Sequence, residues 1–315
     1  MAETTKKPAP AGEAEVVDFR AIMKAGLSKR PVRQVALPPM PSVLPERKAE
    51  TLVLPREPGV PPLVDLAGRR KFVIVMGPQN AGKTLDMRMV GSELYEADLL
   101  KRTCFAPVDP GPRALGRYLD VSQPASARQD DCVDFIEAAH NFMSSDDERR
   151  YQIFVLDCGG NNTALPVVLA RNPKFVAELE AAGVAVVLSY YWVPRVDDLV
   201  LLDQHRDLGL VSPHTMLTMN MAKAARGLES YETMRAQAPW QRLLRAGAAE
   251  LVLPALAEEW AQEVEHLSLP FWAARDGKVP KGSDAEPLDQ AGRVAVAEWM
   301  SKWREARSPV ASWLR

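Results

Sequence analysis

The sequence predicts a doubly wound α/β domain built on a mainly parallel sheet and preceded by a proline-rich N-terminal arm. Three observations predict it. Short apolar runs, "KFVIVM", "TCFAPV", "QIFVLD", "VAVVLSYY", "TMLTMN" and "LSLPF", recur from Gly68 onward, and "FVIVM" and "VAVVL" are continuously apolar. A strand buried on both faces reads in that unbroken way rather than as an alternation. Helix-compatible stretches lie between the runs, as crossover connections between parallel strands require. A glycine-bearing loop follows the first run and opens a helical stretch, at the carboxyl end of a strand, where open α/β sheets gather their ligands.

Residues 1–66 read as the arm and residues 67–315 as the globular domain. Proline recurs through "PVRQVALPPMPSVLPERKAETLVLPREPGVPPLVDL", and proline supplies no N–H to a helix or a ladder. Extended chain is the expectation there. Within it, Val17, Phe19, Ile22, Met23 and Leu27 are spaced for a short amphipathic helix after Asp18. The arm reads either as a docked strap or as a recognition segment, with Lys29, Arg30, Arg33, Arg47 and Lys48 set among apolar residues.

The loop after the first run is Gly77-x-x-x-x-Gly82-Lys83-Thr84, the phosphate-loop pattern. Its glycines let backbone N–H groups curl round phosphate oxygens, and the following helix N-terminus adds partial positive charge. Lys83 is expected to reach the β- and γ-phosphates and act in catalysis, and Thr84 to ligate magnesium. The nucleotide-binding set of this stretch is Gly77, Asn80, Ala81, Gly82, Lys83, Thr84 and Leu85. An ordinary glycine turn with a chance lysine is the bland alternative, and the strand before and helix after argue against it.

Asp109, beyond the second run, is expected to orient the attacking water, its alternative being an Asp-Pro turn. The third run ends at Asp157, where a magnesium-side acid belongs, its alternative being a strand-end cap, and Gly159 and Gly160 follow as a loop. Cys158 reads as a packing residue. Tyr190, Tyr191 and Trp192 follow "VAVVL" directly, so they read as packing or a partner surface rather than as a base-stacking platform. Near the C-terminus, Val296, Met300 and Trp303 share one helical face, with Lys302, Arg304 and Arg307 available to a polar side.

Composition excludes several classes. A net charge of -2 gives no whole-chain electrostatic case for nucleic acid. Cys104, Cys132 and Cys158 are scattered, and His140, His205, His214 and His266 lack ligand spacing, so neither disulfides nor zinc are expected. With no apolar signal core and no bilayer-length apolar stretch, the expected location is cytoplasmic.

With its pieces in this order, the chain resembles the ParA/MinD-type ATPases, and within them plasmid-stability and conjugal-transfer proteins of the StbB and TraL kind. The resemblance covers about residues 71–303, through "MGPQNAGKT", "PVDPGPRALGRYLD", "VLDCGGNNTALPVVLARN", "YWVPRVDDLVLLDQHRDLGL", "TMLTMNMAK" and "HLSLPFWAARDG". It implies an ATP-binding switch with Mg2+, in which Asn220 reads the adenine and the loop after a last strand at "LSLPF", with Pro270, flanks the base. The partners it implies are a protein of a partition or transfer apparatus, a second copy of the chain and non-specific DNA. Membrane attachment is not expected, because Pro309 interrupts the C-terminal amphipathic segment and sheet packing explains its apolar face.

Two departures matter. The family's signature lysine, used across a nucleotide-sandwich dimer, is Pro78 here, and the first aspartate of its Asp-x-Asp pair is Pro107. Weak or partner-stimulated hydrolysis is therefore expected. The alternative is a P-loop phosphotransferase, with Asp109 deprotonating an acceptor and Arg149 and Arg150 on a closing lid.

Overall fold

The computed structural model describes residues 53–56, 58–108, 115–145, 150–160, 162–280 and 284–315. The amphipathic stretch after Asp18, Asp109 and Arg149 lie outside the described residues.

In chain order the elements are β1 (Arg70–Met76), α1 (Lys83–Glu96), β2 (Thr103–Pro107), α2 (Gln129–Ser144), β3 (Ile153–Asp157), α3 (Ala164–Arg171), α4 (Phe175–Ala181) and β4 (Val184–Trp192). Then come α5 (Val200–Asp207), β5 (His214–Asn220), α6 (Glu232–Arg235), α7 (Ala238–Arg245), β6 (Ala249–Leu253), α8 (Glu258–Leu267), α9 (Phe271–Arg275) and α10 (Gln290–Arg307). Six strands form one sheet in the order β2-β3-β1-β4-β5-β6, and every pairing is parallel.

The apolar runs make strands because both faces are covered. Phe72, Ile74 and Met76 enter one layer with α2, α3 and α4, while Val73 and Val75 enter the other with α1, α8, α9 and α10. The chain runs from β1 out to β2, returns to β3, then crosses β1 to reach β4. That reversal opens a crevice at the carboxyl ends beside β1, the place where doubly wound sheets bind ligands.

Five of the six expected strands form. The sixth does not: "LSLPF" is the end of α8, a left-handed Ser268 (φ 50°) and the cap of α9. Pro270 has no N–H for a ladder, and Val264 and Leu267 are buried at helical spacing. The last strand is β6, whose signal is broken by Glu250. That carboxylate accepts from Arg235 Nε (2.9 Å) and Trp240 Nε1 (2.7 Å).

The described end of the arm packs with the domain. Val53 bridges Leu251 antiparallel, on the outer edge of β6. Arg56 donates to the Gly247 and Ala248 carbonyls at 3.1 and 3.3 Å, and Trp313 Nε1 donates to the Val64 carbonyl at 2.7 Å. A strap across an edge strand blunts its capacity to pair with another chain.

Tyr190, Tyr191, Trp192 and Cys158 are buried, so they pack as expected. Val296, Met300 and Trp303 face the sheet. Arg307 does not join the polar side; it is buried, on a carboxylate of α1. Among the described residues no helix is long and apolar enough to cross a membrane.

Candidate functional site

β1 ends at Met76 and α1 begins at Lys83, so the whole phosphate-loop pattern lies at the sheet's carboxyl edge. Three of its residues take positive φ: Gly77 (134°), Asn80 (60°) and Gly82 (95°). Glycine is required at both ends by contact as well as by backbone. A Cβ on Gly77 would land on the Tyr191 carbonyl, and one on Gly82 would come 2.8 Å from Asn220 Nδ2 and 3.0 Å from Leu253 Cδ2. Lys83 Nζ donates to the Gly77 and Pro78 carbonyls, each at 2.8 Å, which holds its ammonium over the loop. Ala81 is buried, Thr84 and Leu85 are half-buried, and Gln79 and Asn80 are exposed.

The parallel register brings the acid to this loop. Asp157 stands beside Val75 in the adjacent strand, and Cys158 N donates to the Val75 carbonyl at 2.9 Å. The glycines after it pack on the loop itself: a Cβ on Gly160 would lie 2.5 Å from Gln79 N and 3.0 Å from the Pro78 carbonyl carbon. This contact was not read from the sequence, although the Gly159-Gly160 pair was its available signal. Thr84 and Asp157 are the residues that would hold Mg2+. The donor set suits a hard cation, being a hydroxyl and a carboxylate.

Asn220, at the end of β5, faces the back of the loop. Its Nδ2 donates to the Ala81 carbonyl (3.0 Å), and its Oδ1 accepts from Ala222 N (2.9 Å). The Tyr231 hydroxyl lies 2.9 Å from the Asn220 carbonyl, which anchors the strand end. Behind the loop is a small cavity of about 30 Å³, lined in part by Gly77, Cys158, Gly160 and His205. His205 Nδ1 shares a 3.1 Å hydrogen bond with the Tyr190 hydroxyl. Burial lowers the His205 pKa to about 4 and raises that of Tyr190 well above the usual phenol range, so both are neutral at pH 7.

Two expected positions are not at the loop. Pro270 caps α9, next to Leu269, whose carbonyl accepts from Arg88 Nη2 at 2.8 Å on the flank of α1. The strand that would have delivered it to the base does not exist; Leu253, ending β6, occupies the place beside Gly82. Arg150 precedes β3 and donates to the Met143 carbonyl at 3.4 Å. It therefore sits at the amino end of β3, whereas the phosphate loop lies at the carboxyl edge of the sheet. Among the described residues no cluster of three or more His, Cys, Asp or Glu is arranged to hold a metal ion.

No protein-family model and no curated protein matches the chain. Among solved structures it is similar to the signal recognition particle receptor FtsY from Elizabethkingia anophelis in complex with GDP. The identity is 12%, with 77% of this chain and 67% of that one covered and a TM-score of 0.39. FlhF complexed with GMPPNP and Mg2+ gives 13% identity, 59% and 67% coverage and a TM-score of 0.33. A second structure of the same FtsY gives 13%, 75% and 66% coverage and a TM-score of 0.35. The phosphate-loop α/β fold of this chain rests on its own strand order and loop.

Proposed function

We propose that the chain is a Mg2+-dependent ATP-binding switch protein of the ParA/MinD type, acting in plasmid partition, stability or conjugal transfer. The observation that carries nucleotide binding is the register of Asp157 beside Val75, which sets an acid one strand from a loop whose lysine already lies over its carbonyls. Oriented N–H groups and the start of α1 favour phosphate there.

ATP rather than GTP is the nucleotide that the resemblance to the ParA/MinD-type ATPases implies. Pro78 and Pro107 stand where the resemblance has a lysine and an aspartate, which supports slow or partner-stimulated hydrolysis. A partner protein, a second copy and non-specific DNA are the candidate readouts of the ATP-bound state.

Calorimetric titration tests the nucleotide reading. ATP with Mg2+ should bind the wild type, Lys83→Ala should weaken it at least about tenfold by loss of a charge-assisted contact, and Thr84→Ala should remove mainly the Mg2+-dependent part. Equal affinity in wild type and Lys83→Ala would refute it.

A further inference from the structure

The carboxylate of Asp86 lies two residues beyond Thr84 in α1 and is fully buried. Its Oδ2 accepts from the Tyr191 hydroxyl and from Arg307 Nη2, and its Oδ1 accepts from Trp303 Nε1 and, at 3.3 Å, from Arg307 Nε. Arg307 Nη2 also donates to the Tyr191 hydroxyl at 3.0 Å, and its guanidinium carbon lies 5.0 Å from the centre of the Trp303 ring. All four side chains are buried. Tyr191 keeps its proton as a donor: burial and the Asp86 charge raise its pKa far above the usual phenol range.

The network touches the phosphate loop at both ends. Asp86 belongs to the first turn of α1, which begins with Lys83 and Thr84. Tyr191 supplies the carbonyl against which Gly77 is seated. A buried ion pair is a poor way to join two helices, since apolar residues of similar volume hold them as well or better. What a planar guanidinium on a carboxylate adds is direction: two oriented bonds admit one rotation of α1 about its axis. That rotation decides where Lys83 and Thr84 point.

We infer that Arg307, with Trp303, is a positioning residue for the phosphate site, holding Asp86 and thereby the first turn of α1 in the setting that binds nucleotide. The inference rests on the nucleotide reading above. It makes the C-terminal helix part of the site through Asp86 and Tyr191.

The test compares wild type, Lys83→Ala and the double variant Asp86→Leu/Arg307→Met in the full chain, by thermal melting and by ATP titration with Mg2+. The double variant leaves the buried Tyr191 hydroxyl and Trp303 Nε1 without their carboxylate, so it should melt below wild type while staying folded at the titration temperature, and it should bind ATP about tenfold or more weakly, as when outer-shell partners are lost. Arg307→Lys, a point charge that cannot fork, should also be weakened. If the double variant is folded at the titration temperature and binds ATP like wild type while Lys83→Ala is weakened, the network is structural only and the inference is overturned. If Lys83→Ala also binds like wild type, the nucleotide reading falls and this inference with it. Should the double variant not fold, Trp303→Phe removes one donor alone. About threefold weaker ATP binding would support the assignment, and unchanged affinity would overturn it.

Discussion

The Asn220 amide nitrogen donates to the Ala81 carbonyl at 3.0 Å, tying the end of β5 to the turn that starts α1. Both residues are buried, so this bond is shielded from water. Asn220→Ala leaves the Ala81 carbonyl and the Ala222 N–H without their side-chain partners. We expect a loss of about 1–3 kcal/mol in denaturant unfolding, with ATP affinity reduced as the loop loosens. Unchanged stability would show that water replaces the amide.

Gly160→Ala tests the packing of the loop after β3 on the phosphate loop. The new methyl would lie 2.5 Å from Gln79 N, a backbone atom that cannot swing aside as a side chain would. Either loop must shift, at roughly 1–3 kcal/mol for overpacking. Magnesium-dependent ATP binding should fall more than binding without magnesium, because the displaced segment follows directly on Asp157. Titrations with and without Mg2+ would reveal the difference.

His205 gives the fold a pH dependence of known sign. Burial lowers its pKa from 6.5 to about 4, so the unfolded chain binds a proton that the folded chain refuses between those values. The contribution is fully present above pH 6.5 and is lost as pH falls toward 4, with a ceiling of about 3 kcal/mol. Urea unfolding at pH 7 and pH 4.5 should show a smaller drop for His205→Gln than for wild type. An equal drop in both proteins would remove His205 as the cause.

The strand order changes what should be found at the base. Leu253 lies against Gly82, whereas Pro270 caps α9 on the flank of α1. Irradiation with 8-azido-ATP followed by peptide mapping should therefore label the end of β6 and the stretch leading to α8, residues 253–258, and leave the peptide around Pro270 unmarked. Labelling at Pro270 would mean that the nucleotide lies on the other side of α1.

Arg56 offers a control away from the site. It fastens the strap to the Gly247 and Ala248 carbonyls. Arg56→Ala should lower stability by about 1 kcal/mol, as for an ordinary exposed or half-buried bond set, and leave ATP affinity unchanged. A fall in both would tie the strap to the nucleotide site.

Most of the fold was legible because its signals are contiguous. β1 to β5 each hold a mainly apolar run, unbroken in β1 and in the first half of β4, and burial on both faces is a property that neighbouring residues announce together. β6 was not legible: Glu250 interrupts it, and only the side chains of Arg235 and Trp240, brought alongside by α6 and α7, make that carboxylate tolerable in a strand. "LSLPF" misled because five apolar or small residues in a row look alike in a strand and at a helix junction. Its helical setting depends on what Val264 and Leu267 pack against.

By itself the sequence determined the phosphate loop, since Gly77, Gly82, Lys83 and Thr84 form their chemistry within one turn and need no distant partner to be recognised. It also determined the strand-end placing of Asp157 and Asn220. Tertiary structure alone decided that Asp86 pairs with Arg307, 221 positions away, and that Leu253 rather than Pro270 stands beside Gly82. A buried charge is stable only where its partner is delivered to it. Delivery across such separations follows from how the helices pack on the sheet, which no local stretch of sequence encodes.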